Sequence, residues 1–162
     1  MRVYLPVTVP ALASAQAAGA FKDVPVAHAV TPAMREWYVN GDLEELEYAA
    51  LLEAAEASLR AVAASDDTPR RRVVVAADVP EAAVRPAADE RFRSAVRLSA
   101  DVPLEAVASV HVDELEAEPT IMAAVAALER ADDGDEDAQF LLDEAEAVEL
   151  LWYDVSEIPD LV

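Results

Sequence analysis

The sequence predicts a two-layer α+β fold, a mixed β-sheet of about five to six strands with helices mainly on one face, and three observations lead there. Short β-branched and aromatic runs alternate with helix-period segments along the chain. The stretch from Ala27 to Val62 joins a histidine-bearing strand, an aromatic turn and one long capped helix. The 162 residues suffice for a single domain whose core needs neither disulfides nor metals. A ferredoxin-like strand-helix-strand core is one form of this fold, and a doubly wound α/β sheet is the alternative.

Arg2 to Val7 reads as the first strand, after which Thr8 or Val9 caps a short helix with Pro10 in its first turn and Gly19 at its end. Arg2, an apolar run and Ala13-Ser14-Ala15 imitate a secretion signal. Pro6 and Pro10 would break the helical apolar core such a signal needs, so a cytoplasmic location is expected. Val24 to Val30 predicts a second strand. Thr31 then caps a short helix with Pro32 at its first position, carrying Met34, Trp37 and Tyr38 and stopping near Asn40-Gly41.

Asp42 opens the main helix, with Glu45 completing a capping box and Glu44 complementing the helix dipole. Tyr48, Leu51, Leu52, Ala55, Leu59 and Val62 follow three-and-four spacing and predict the core-facing stripe. Glu45, Glu53, Glu56 and Arg60 fall on the opposite side. Ala50, Ala54, Ala57 and Ala61 flank the large residues and permit a close backbone approach.

Ser65 to Pro69 is a polar loop, and Arg71 to Ala77 is a strand whose unbroken valines, Val73 to Val75, predict cover on both faces. Pro80 to Arg91 reads as a short helix and a loop. Ser94 to Ser99 alternates as a half-buried strand with Val96 and Leu98 inward. After Pro103 a turn leads into a strand over Ala108 to Val112, with Ser109, His111 and Asp113 on the side opposite Val110 and Val112. Pro119 opens a helix bearing Ile121, Met122, Val125 and Leu128, Asp132 to Asp137 is an acidic loop, Ala138 to Val148 fits helix or strand, and Leu150 to Val155 is the last strand. Mobile loops are expected at 65–70, 86–93 and 131–137.

The charge balance excludes several partners. With 33 acidic against 12 basic residues the net charge is −21, which repels phosphate backbones and anionic lipid surfaces, so neither nucleic acid nor membrane is expected as a partner. The chain has no cysteine, hence no disulfide, thiolate metal site or cysteine nucleophile. Its three glycines, Gly19, Gly41 and Gly134, exclude a phosphate-binding glycine loop.

Chemistry concentrates at few places. His28, Arg35, Trp37 and Tyr38 combine a strand-end histidine with a helix arginine and two aromatics, a set able to bind an anion or carboxylate. In the competing structural reading, Trp37 and Tyr38 plug the end of the core and His28 bonds to backbone. Asp133, Asp135, Asp137 and Glu144 match positions 1, 3, 5 and 12 of a calcium-binding EF-hand loop, but Ala138 stands where the turn requires glycine. A solvated acidic loop is the better account, so no metal and no cofactor are expected. His111 and Asp113 form a two-ligand fragment on one strand face, and with Ser109 they are too close in sequence to adopt triad geometry. Arg70, Arg71 and Arg72 are expected to pair with carboxylates.

The absence of a catalytic constellation predicts a non-enzymatic binding or interaction protein, self-associating as a homo-oligomer through the alanine strip. The alternatives are an enzyme or small-ligand binder with a pocket around His28, Arg35, Trp37 and Tyr38, and an acidic nucleic-acid mimic.

Five stretches, MRVYLPVT, AHAVTPAMREWYVNGDLEELEYAALLEAA, RRVVVAADVP, ASVHVDE and LLWYDVSEIPDLV, together resemble a family of small acidic actinobacterial proteins catalogued only as a domain of unknown function. The resemblance covers most of the chain except Ala87 to Arg93 and Ala131 to Asp137. It implies an actinobacterial, cytoplasmic origin, carries over no activity or functional residue, and leaves the acidic loop outside its span.

Overall fold

The computed structural model describes residues 1–66 and 68–162, so Asp67, within the polar loop at 65–70, lies outside the described residues. In chain order the elements are β1 (Arg2–Val7), α1 (Val9–Ala18), β2 (Ala20–Phe21), β3 (Ala27–His28), α2 (Pro32–Trp37), α3 (Leu43–Ala63), β4 (Val73–Asp78), β5 (Val84–Pro86), β6 (Ala95–Leu98), β7 (Val102–Pro103), β8 (Val107–Val112), α4 (Glu118–Asp132), α5 (Glu136–Glu146), β9 (Leu151–Tyr153) and α6 (Ile158–Leu161). The helix starts follow the chemistry read from the sequence. Thr8, Thr31 and Asp42 each accept a backbone N–H of the following turn, and Asp42 and Glu45 complete a capping box.

Seven strands form one open sheet in the order β5-β6-β3-β1-β4-β8-β9, and β2 pairs with β7 in a separate ribbon. Each of these pairings is antiparallel. The α+β class holds, with β5 as the strand added to the six read from the sequence. Parallel neighbours, which a doubly wound sheet requires, are absent among the described residues. One split unit of the ferredoxin-like kind is present: β3 and β4 both run against β1, flank it, and are joined by α2 and α3. Among the described residues there is no second unit of this kind, because β8 and β9, joined by α4 and α5, are direct antiparallel neighbours.

Strand alternation divides the core. Val3, Leu5, Val7, Val73 and Val75 face α1, the ribbon and α6, packing with Leu12, Phe21 and Ile158. Tyr4, Val74 and Ala76 face α2 and α3, packing with Met34, Leu46, Ala50 and Ala54. The valine run of β4 is therefore buried on both sides, as its composition predicts. The longer helices lie on one side, where α4 and α5 form a hairpin against α3 through Leu59, Ile121, Leu128 and Ala145. The opposite face is covered by α1, α6 and the ribbon.

Two expectations are corrected. The second strand shortens from Val24–Val30 to Ala27–His28. More consequentially, α3 docks on the sheet through Leu46, Ala50 and Ala54, whereas Tyr48 stays 56% exposed and Leu51 and Leu52 are only half-buried. Small side chains let the helix approach the sheet face that already carries the Tyr4 ring, and this turns the larger residues of the stripe outward. Lower down, Ala55, Leu59 and Val62 are buried as expected.

Candidate functional site

His28 sits on β3 with no exposed surface, and its Nδ1 lies 2.7 Å from Ser94 Oγ. The Ser94 hydroxyl and backbone N–H both donate to Glu53 Oε2, the latter at 2.9 Å. A hydroxyl carries one proton, so with that proton directed at Glu53 the His28 Nδ1–H must donate to Ser94. Nε2 is then a lone pair with no partner among the described residues. Phe92 meets the imidazole edge-on at 5.2 Å. Burial pushes the His28 pKa down to about 4, against a small opposing effect of the Asp89 charge, so the ring is neutral at neutral pH.

Arg35, Trp37 and Tyr38 do not join His28. Arg35 is exposed on the last turn of α2, and Trp37 is 61% exposed with the Arg93 guanidinium 3.7 Å above its ring. Tyr38, the C-terminal cap residue of α2, is exposed as well. The two aromatics therefore do not plug the core, and the histidine bonds to a side chain rather than to backbone.

What the outward face of α3 lines instead is a groove. Two adjoining cavities of about 670 and about 580 Å³ share Leu52, Ala55, Arg72 and Glu146. The larger also takes in Tyr38, Glu53, Glu90 and Leu142, and the smaller Tyr48, Leu51 and Leu150. At one rim Arg60 bonds Asp132 at 2.9 Å and Glu56 at 3.0 Å, while Arg91 approaches Asp132 at 3.4 Å and Glu56 at 3.7 Å. This cluster ties α3 to α4 and to the β5–β6 loop, and the Arg60 hydrogen bond holds the Asp132 carboxyl below the ordinary range.

Beneath the groove Arg72 and Asp113 form a buried ion pair. Arg72 Nε and Nη2 donate to the two carboxylate oxygens at 2.9 and 2.8 Å, its backbone N–H donates to Oδ2 at 2.8 Å, and Nη2 also donates to the Val148 carbonyl at 2.9 Å. Arg71 Nε donates to the Asp113 carbonyl and Arg70 donates to the Val62 and Ser65 carbonyls, so among the described residues pairing with a carboxylate is seen in the arginine run for Arg72.

The other sequence-level candidates are dispersed. Asp135 caps α5 by accepting from Ala138, and Glu136–Glu146 is helical, so Asp133, Asp135, Asp137 and Glu144 cannot wrap one ion as an EF-hand loop does. No group of three potential metal-binding side chains occurs among the described residues. His111 Nε2 pairs with Ser109 Oγ at 2.9 Å, away from the carboxylate engaged by Arg72. Burial, with a lesser effect of Arg2, lowers the His111 pKa.

Chemically, the groove is an apolar wall with carboxylates and a guanidinium edge. The Glu53-Ser94-His28 chain places serine in the middle and directs its proton at the carboxylate, the reverse of the order that activates a serine nucleophile. Glu53 escapes local sequence reading, and so does the identity of the carboxylate that Arg72 meets, because both partners lie 41 residues away. One signal was available: an arginine directly before a fully buried valine strand must find a charged partner inside.

The chain belongs to the family described as a family of unknown function (DUF6912), whose model matches residues 1–162. No curated protein and no solved structure matches it.

Proposed function

We propose that this protein is a non-enzymatic interaction protein that receives a segment of another protein in the α3 groove. The observation that carries this reading is the outward turn of Tyr48 and Leu52, with Leu51 beside them packed in part against the sheet core, an apolar helix face that lines two confluent cavities. Helix faces of this kind are reused in peptide recognition, where large apolar side chains along one groove anchor the partner. The dispersal of His28 and Arg35 supports docking over a small-ligand pocket at those residues. A net charge of −21 opposes the pairing of two identical copies, which favours a different protein over self-association.

The test is a photoreactive residue placed at Tyr48 or Leu52, and separately at the exposed Arg97 of β6, in the chain expressed in its own cells. Adducts with another polypeptide from the groove positions, with none from Arg97, are expected. No adduct from either groove position would sink the reading, and an adduct with a second copy would redirect it to self-association.

A further inference from the structure

We infer that the occupant of the α3 groove is a basic, amphipathic peptide segment, an inference that rests on the docking role proposed above and adds the chemistry of the partner. Apolar contact comes from Tyr48, Leu51 and Leu52 on α3, with Leu142 and Leu150 also lining the cavities. Large side chains at helical spacing on a partner fill a groove of this form.

Charge sets the sign of the remainder. Glu53, Glu90 and Glu146 line the larger cavity with no cation within 4.0 Å among the described residues. The arginines of the same cavity are already engaged, Arg60 and Arg91 by Glu56 and Asp132, and Arg72 by Asp113. Lysine or arginine side chains of a partner supply the missing counter-charge, while an acidic segment is repelled both by these carboxylates and by the chain as a whole.

The guanidinium adds a hydrogen-bond donor at the groove. Arg72 is only 4% exposed and lines both cavities, with Nε and Nη2 held by Asp113 and the Val148 carbonyl, while Nη1 has no hydrogen-bond partner among the described residues and keeps some contact with solvent. Asp113 neutralises its charge, so Nη1 offers N–H donors without net positive charge. Such a donor suits a neutral acceptor, and the unpaired carbonyls that end a helix are acceptors of that kind. A basic amphipathic segment provides all three: apolar side chains, cations and free carbonyls. A second copy of this chain, with 12 basic against 33 acidic residues, lacks the cations.

Three labelled peptides of equal length test this on the full chain. One carries leucines at helical spacing with lysines and arginines between them, one replaces the basic residues by glutamate, and one replaces the leucines by serine. Fluorescence anisotropy measures binding, and methyl NMR shifts of Leu52, Leu142 and Leu150 report its place. Only the first peptide is expected to bind and to move these methyls, with affinity falling as salt rises. The double variant E90K/E146K alters two exposed side chains that make no hydrogen bonds among the described residues, and is expected to weaken binding about tenfold while leaving the fold intact. Equal binding of the acidic or the serine peptide overturns the assigned chemistry. If the basic peptide fails while crosslinks still form from Tyr48 and Leu52, the chemistry is wrong and docking stands. If both fail, docking falls with it.

Discussion

Arg72 and Asp113 close on each other at the adjoining ends of β4 and β8, both withdrawn from water, with Nη2 2.8 Å from Oδ1 and Nε 2.9 Å from Oδ2. Removing one charge strands the other in the interior. Asp113→Asn is expected to cost about 3–5 kcal/mol in urea unfolding, and the double variant R72M/D113L to recover most of that loss. A double variant no more stable than Asp113→Asn alone would show that the stability comes from the geometry of this pair and not from avoiding a lone buried charge.

His28 makes the fold sensitive to mild acid. Its pKa is about 4 in the folded chain and near 6.5 when unfolded, so between these values the unfolded chain binds a proton that the folded chain refuses. Stability from this residue is therefore complete above about pH 6.5, falls as pH drops towards 4, and levels off below; the total loss is roughly 3 kcal/mol. The difference in unfolding free energy between the natural chain and His28→Gln, measured across this range, should follow that curve. A difference that stays flat with pH would contradict the neutral, buried imidazole.

The seating of α3 predicts an unusual order of sensitivities. Ala54 has no exposed surface and packs on the face carrying Tyr4 and Val74, so Ala54→Leu is expected to cost about 1–3 kcal/mol by overpacking. Leu52→Ala makes the opposite change, deleting side-chain carbons from a half-buried position, and is expected to cost less than the about 2–5 kcal/mol typical of a fully buried leucine. Chemical denaturation of the two variants decides: greater loss from Leu52→Ala would mean that the leucine face belongs to the core.

That same helix marks the boundary of what the sequence discloses. Its start was legible because Asp42 and Glu45 bond within one turn, and the rest of its span because apolar residues recur at helical spacing. Which face meets the sheet was not, because that depends on the side chains of β1 and β4, distant in sequence, against which the middle of the helix fits through alanines. β4 was readable as covered on both faces since burial on two sides demands unbroken valine. β5 escaped because three residues ending in Pro86 carry no period. The site shows the same division. His28 was singled out by residue type, but its tie to Ser94 and Glu53 and the link from Arg72 to Asp113 exist only after the chain has closed.

Both rims of the sheet are short: β5 and β9 each hold three residues, and β5 ends in a proline that has no N–H to give. A neighbouring chain seeking to extend the sheet would find only a few backbone hydrogen bonds at either side, too few to seed a growing ladder. The folded sheet is therefore a poor template for edge-to-edge growth at either of its rims.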